Sequence, residues 1–294
     1  MVDGLSPAES GCAAGSSPGT IPRVSFLNIT RVGHVAHVLL DNPKKLNAMG
    51  TAFWSETAKT LQTLGEDSEL RVVVVRGAGR AFTAGLDIPD VMSKLPIDPA
   101  GGPPDGSRQA ALHRLIREMQ GAVTAFERLP VPVIAAVHGY CLGAGVDLIT
   151  ACDIRLASAD AVFGVRETKL AMVADVGTLQ RLPRIVGPGH ARELTYTGRD
   201  FDAAYAEKIG LVNRVLPDAE ALFADADALA QEIAANPPLA VRGSKHVMNE
   251  AQRHAIDREL EYVATYNTAH LVTQDLGMAV TAAMTKQTPE FSGR

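Results

Sequence analysis

The chain is poor in cysteine, has no block of positive charge, and contains no long apolar run. Each shortage excludes something. Cys12, Cys141 and Cys152 are odd in number and widely spaced, which fits neither a disulfide framework nor a paired metal-ligand spacing. A cytoplasmic location, in a reducing cytosol, is therefore expected, and no metal. The 28 basic residues against 33 acidic ones leave a net charge of −5, so nucleic acid is not an expected partner. No uninterrupted apolar segment reaches the length needed to cross a bilayer, so no membrane span is expected. The string G-x-S-x-G occurs only at 15–19, in a Gly/Ser/Pro-rich stretch that follows no strand, so it is no nucleophile elbow, and there is no His-x-x-x-His metal spacing. Two glycine-rich turns occur, but "GAGRAF" has Phe82 and "GAGVDL" has Leu148 where the third glycine of a dinucleotide fingerprint belongs. Residues 1–22, "MVDGLSPAESGCAAGSSPGTIP", lack the basic start and apolar centre of a secretion signal. They are read as a disordered leader.

What is present describes a globular α/β protein, 46% apolar and 21% charged over 294 residues. "VSFLNITRVGHVAHVLLDNP" predicts two strands turning at Gly33, and "GTAFWSETAKTLQTLGED" carries a helical period that ends near Gly65. The buried strand "LRVVVVRG" runs into a glycine-rich loop over 77–90. Residues 96–107 are too rich in Pro and Gly to be regular, and a long helix is predicted near 108–128. The pattern repeats with the strand "VPVIAAVHG", the turn "YCLGAG" and a helix starting in "VDLITACD". Alternating strands and helices up to about residue 216 argue α/β layering. Beyond 217 the sequence is helical to about 285, broken by "NPP" at 236–238.

Two features carry chemistry. Each central strand ends in a small-residue turn, "FTAGLDI" at 82–88 and "CLGAGVDL" at 141–148, and small residues let a ligand approach the backbone. A glycine after a strand is more often only a turn. Two such turns side by side, however, would aim two N–H groups at one oxygen, and an oxyanion-hole donor is worth roughly 3 kcal/mol. The second feature is three acids set in apolar surroundings, Asp147, Glu167 and Asp175. Asp147 in a first helical turn needs no more than dipole stabilisation of about 0.3–1 kcal/mol to explain it. If Glu167 and Asp175 share an apolar pocket with it, desolvation and repulsion raise at least one pKa and supply an acid and a base at neutral pH. His138, after a buried strand, is read as structural.

With "LNAMG" at 46–50, "AFTAGLDI" at 81–88, "PVIAAVHGYCLGAGVDLITACDIRLAS" at 132–158 and "GTLQRLPRIVG" at 177–187, the chain resembles the crotonase (enoyl-CoA hydratase/isomerase) superfamily from about residue 24 to its end. The resemblance implies an α/β spiral of strand-strand-helix units over 23–216. It also implies a helical C-terminal region over 217–294 that makes trimer contacts, and an acyl-CoA thioester substrate. Carried over by position, the oxyanion donors are the backbone N–H groups of Leu86 and Ala144, and CoA lies along Ala48, Ala84, Gly85, Leu86, Asp87, Ile88 and Ala144. No cofactor is implied, since CoA is part of the substrate. A homotrimer or a dimer of trimers is the implied assembly.

Hydrating members carry Glu at the positions of Asp147 and Glu167 and a "PGAGGT"-like segment at 173–178; here the first acid is shortened and the segment reads "VADVGT". "GVDL" followed by "TACD", "VRE" and "ADVGTLQRLP" are instead similar to the dienoyl-CoA isomerases, which move the double bonds of 3,5-dienoyl-CoA to the 2,4 positions in fatty acid β-oxidation. On that resemblance the three acids are catalytic and form a proton relay. The rival readings are an enoyl-CoA hydratase, for which Asp175 has little use, and a non-catalytic acyl-CoA-binding homologue.

Overall fold

The computed structural model describes residues 26–96, 105–285 and 287–294. The expected leader and most of the Pro/Gly-rich stretch at 96–107 lie outside them.

Strands β1 (Leu27–Val32) and β2 (Val35–Leu40) form a hairpin whose turn needs positive φ at Gly33, +60°. Helix α1 (Thr51–Gly65) follows, then β3 (Val72–Gly77), which pairs parallel to β2. After the short α2 (Ile88–Met92) comes α3 (Gly106–Arg128), which starts inside the stretch expected to be irregular. The reason is local: the Asp105 side chain accepts the Arg108 N–H at 2.9 Å and caps the helix there. Strands β4 (Val133–Val137) and β5 (Tyr140–Leu142) then lead into α4 (Ala144–Thr150). Strands β6 (Ile154–Ser158) and β7 (Val162–Gly164) lead into α5 (Thr178–Thr197), which is kinked at Gly187. The remainder is β8 (Asp200–Asp202), α6 (Ala203–Lys208), β9 (Arg214–Leu216), α7 (Ala219–Ala235), α8 (Pro238–His270) and α9 (Gln274–Thr285).

The main sheet has the order β1-β2-β3-β4-β6-β9, parallel except for the hairpin. Its central strands β3 and β4 are apolar with little alternation because both faces are covered. Val72 and Val74 of β3 pack with Leu222, Ala226 and Ala230 of α7, while Val73 and Val75 face the large core shared with α1 and α3. Full burial of each such valine contributes roughly 1.5–3 kcal/mol.

A second layer explains the spiral. After each of β2, β3, β4 and β6 the chain steps into a short extended segment: Met49 bridges Leu86, Thr83 bridges Cys141, and β5 pairs with β7, which pairs with β8. Successive turns of the chain therefore stack twice, once in each sheet, and the ends of the small-sheet segments are brought together. That is where the glycine-rich turns meet.

Candidate active site

Gly85 and Gly143 set the geometry. At Gly85 φ is +90°, and a Cβ there would fall 2.5 Å from Leu142 O and 3.5 Å from the Ala144 nitrogen. A Cβ at Gly145 would meet Thr83 Cγ2 at 2.6 Å. The two turns thus interlock through backbone, and side chains at these positions would force them apart.

The N–H groups identify which atoms are left for a ligand. In the first turn Ala84 N–H donates to Leu46 O (2.8 Å), Gly85 N–H to Thr83 Oγ1 (3.1 Å) and Asp87 N–H to Met49 O (3.0 Å). Leu86 N–H has no acceptor among the described residues. In the second turn Gly143 N–H is spent on Gly164 O (2.8 Å) and Val146 N–H on Gly143 O (2.7 Å). Ala144 opens α4 and its N–H is free in the same sense. These are the two N–H groups to which the family resemblance assigns the oxyanion role.

Both residues line a cavity of about 540 Å3, together with Ala84, Ile88, Leu142 and Gly143. All three acids line it too. Of the positions expected along CoA, Ala84, Leu86, Ile88 and Ala144 reach the cavity wall and Gly85 does not. Ala48 and Asp87 are not brought to the wall. Asp87 is instead turned to Lys45 Nζ at 2.6 Å and caps α2 through the Asp90 N–H.

Asp147 is 1% exposed, and its Oδ1 accepts the Thr178 N–H at 2.5 Å, so it caps α5 rather than its own helix. Burial raises its pKa; the Thr178 contact and the nearby Arg181 pull the other way. Arg181 is itself buried and held by Glu127 at 2.7 Å. Glu167 opens a short 3-10 turn after β7, beside Gly143, where a Cβ would stand 3.3 Å from Glu167 Oε1. Its Oε2 is enclosed without any hydrogen-bond partner. Burial raises its pKa most strongly, followed by the charges of Asp147 and, more weakly, Asp175. Asp175 precedes α5; burial pushes it up to about 7 against a hydrogen bond from Asn267. Glu167 and Asp175 keep some surface toward the cavity, while protein encloses them on every other side. The cluster therefore holds protons near neutrality that ordinary carboxyls would release.

Asn267, Gln120 and Arg181 also belong to this site and were not picked out in the sequence. For Asn267 a signal was there: it sits on the stripe Ile256, Leu260, Val263, Ala264 that α8 buries, an amide in a row of apolar positions. His138 is structural as expected, buried with Nε2 at 3.0 Å from Gly79 O.

The chain is similar to a Mus musculus protein named Delta(3,5)-Delta(2,4)-dienoyl-CoA isomerase, mitochondrial: 45% identity, covering 86% of this chain and 77% of the relative. It is similar to an Arabidopsis thaliana protein named Delta(3,5)-Delta(2,4)-dienoyl-CoA isomerase, peroxisomal, at 42% identity over 88% of this chain and 92% of the relative. Among solved structures it matches an enoyl-CoA hydratase/isomerase from Xanthobacter autotrophicus Py2 with a TM-score of 0.80 and 31% identity, covering 90% of this chain and 94% of that one. The organelle names of the relatives overturn the expected cytoplasmic location. Cysteine usage speaks only to the lack of a disulfide framework and does not separate compartments that share that lack. The family model described as Enoyl-CoA hydratase/isomerase matches residues 30–294, and the chain belongs to that family.

Proposed function

We propose that this chain is an isomerase that converts 3,5-dienoyl-CoA thioesters to 2,4-dienoyl-CoA in fatty acid β-oxidation. The observation that carries the reading is the third carboxyl: Asp175 stands on the same cavity wall as Asp147 and Glu167. The dienoyl-CoA isomerase relatives agree with it.

The thioester oxygen sits between the N–H groups of Leu86 and Ala144. Glu167, whose Oε1 stands beside Gly143 in the second turn, is assigned to the carbon beside the thioester. It takes the C2 proton as the C2–H bond breaks, and the electron pair spreads along the conjugated chain onto the thioester oxygen. That dienolate is what the two N–H groups stabilise, by roughly 3 kcal/mol each. Asp175 delivers a proton to C6, and the double bonds come to rest at 2,4. Protons balance, no net oxidation occurs, and no cofactor is needed beyond the CoA of the substrate. Burial raises Glu167 to about 8 and Asp175 to about 7, so the resting cluster favours the proton on Glu167, and the reactive form is the one in which Asp175 holds it instead; a neutral Asp175 then removes one of the charges that raise Glu167. Asp147 tunes the pair. Each carboxyl contributes on the order of 100- to 10,000-fold as acid or base.

The assembly is a homotrimer or a dimer of trimers. Leu239 is 83% exposed and Tyr262 72% exposed on α8, apolar surface suited to sister subunits. Light scattering giving a stable monomer at micromolar concentration would contradict this.

The deciding experiment is Asp175→Asn with both 3,5-dienoyl-CoA and 2-enoyl-CoA as substrates. Isomerisation is expected to fall about 100-fold or more with CoA-ester binding nearly unchanged. Glu167→Gln damages either reaction. Efficient hydration by the wild type, indifferent to Asp175→Asn, would replace this reading with a hydratase.

A further inference from the structure

Asp175 is gripped twice by elements that follow or flank the strand-rich core. Its backbone oxygen accepts from Gln120 Nε2 at 2.6 Å, and the same nitrogen donates to Leu260 O at 3.0 Å, so α3 ties the residue to α8. Its Oδ2 accepts from Asn267 Nδ2 at 2.6 Å, and that nitrogen also donates to Val173 O at 2.9 Å. The second contact decides how the amide is turned. A peptide carbonyl only accepts, so the group between Val173 O and Asp175 Oδ2 is the NH2 end. Asn267 is 1% exposed, and an amide buried that deeply costs the fold unless both bonds form. Packing alone would place a leucine on this stripe.

We propose that Asn267 is a positioning residue for the isomerisation: it occupies Oδ2 of Asp175 and so reserves Oδ1 for the proton delivered to the distal carbon of the substrate. The proposal rests on the isomerase reading of the cavity. With an N–H fixed on Oδ2, the carboxylic proton falls on Oδ1, which has no hydrogen-bond partner from another residue among the described ones. A carboxyl held by a doubly anchored amide cannot swing away from the substrate, and fixed geometry is a large part of what proton transfer to carbon requires. The N–H also favours the ionised form, opposing burial, which keeps Asp175 able to release its proton near neutral pH. The charged groups set against Asp175 are Asp147 from α4 and Glu167 from the turn after β7. Arg166 and Lys169 line the same cavity, Arg181 of α5 bears on Asp147, and α3 and α8 present the neutral amides Gln120 and Asn267.

The test uses the full chain with Asn267→Leu, which keeps bulk and removes the donor, and Asn267→Ser as the smaller replacement should the leucine variant fail to fold by near-UV circular dichroism. Carbon-detected NMR titration of aspartate carboxyls, with Asp175 assigned by its loss in Asp175→Asn, reads the contact without turnover. The Asp175 midpoint is expected to rise by about one pH unit or more. For 3,5-dienoyl-CoA, kcat is expected to fall about tenfold or more while KM stays within about threefold, and the alkaline limb of the kcat profile should move upward. An unmoved titration, or a loss of kcat with an unmoved pH profile, overturns the proposal. A moved titration in a protein whose wild type does not isomerise dienes would sink the functional reading instead, so the two failures are told apart.

Discussion

On the proposed function, the side chain of Ala144 is incidental and its N–H is the functional group. Ala144→Gly keeps that N–H at the start of α4 and is expected to leave turnover within about twofold of wild type. Ala144→Pro deletes it and should cost on the order of 100-fold or more in kcat. Stopped-flow or steady-state absorbance, with circular dichroism to confirm folding, checks the pair; equal losses would mean that the backbone donor is not used. In the sequence this donor was assigned by the family resemblance; the residues alone said only that a glycine turn opening a helix leaves N–H groups without an internal partner. Asn267 was not legible in that way. Its partner Asp175 lies 92 positions away in the chain, and no local pattern says which buried amide meets which carboxyl. Asp147 was half legible. Its burial followed from the apolar run around it, but the helix it caps is α5, a relation only the tertiary fold establishes.

Among the elements, the strands and long helices were legible because apolar runs and helical periods are local. The start of α3 was misplaced because Gly106 looked like loop, while Asp105 capped a helix over it. The two glycines make a sharp contrast. A Cβ at Gly106 meets nothing within 4 Å, whereas at Gly85, with φ of +90°, it meets Leu142 O at 2.5 Å. Gly106→Ala is therefore expected to be neutral or to stabilise by up to about 1 kcal/mol. Gly85→Ala should cost roughly 2–4 kcal/mol, the sum of left-handed strain and a backbone overlap that separates the interlocked turns. Denaturant melts of both variants test this, and turnover by Gly85→Ala should fall further than its stability loss explains, because the overlap pushes directly against the turn that carries Ala144 N–H. A Gly85→Ala protein as stable and active as wild type would show that the turns are not locked together as described.

Over the whole molecule, the three enclosed acids set a stability cost with a definite sign. Burial raises the folded pKa of Asp147, Glu167 and Asp175, the last to about 7, whereas an unfolded aspartate titrates near 3.9. Between those values the folded chain binds more protons than the unfolded one, so stability falls as pH rises. The penalty of Asp175 is absent below about pH 4, grows through the window, and is complete above about pH 7. Asp175→Asn removes that titration while its amide oxygen still accepts from Asn267. The variant is therefore expected to be more stable than wild type at pH 8, by on the order of 2–4 kcal/mol, and the advantage should shrink to a fraction of that at pH 5. Urea melts at several pH values measure the gap. A gap that does not change with pH, or a wild type that is the more stable protein at pH 8, would mean that Asp175 is not desolvated as described here. On the proposed function the expected loss of turnover and the stability gain belong together: a carboxyl that holds its proton near neutrality is one the fold would be more stable without.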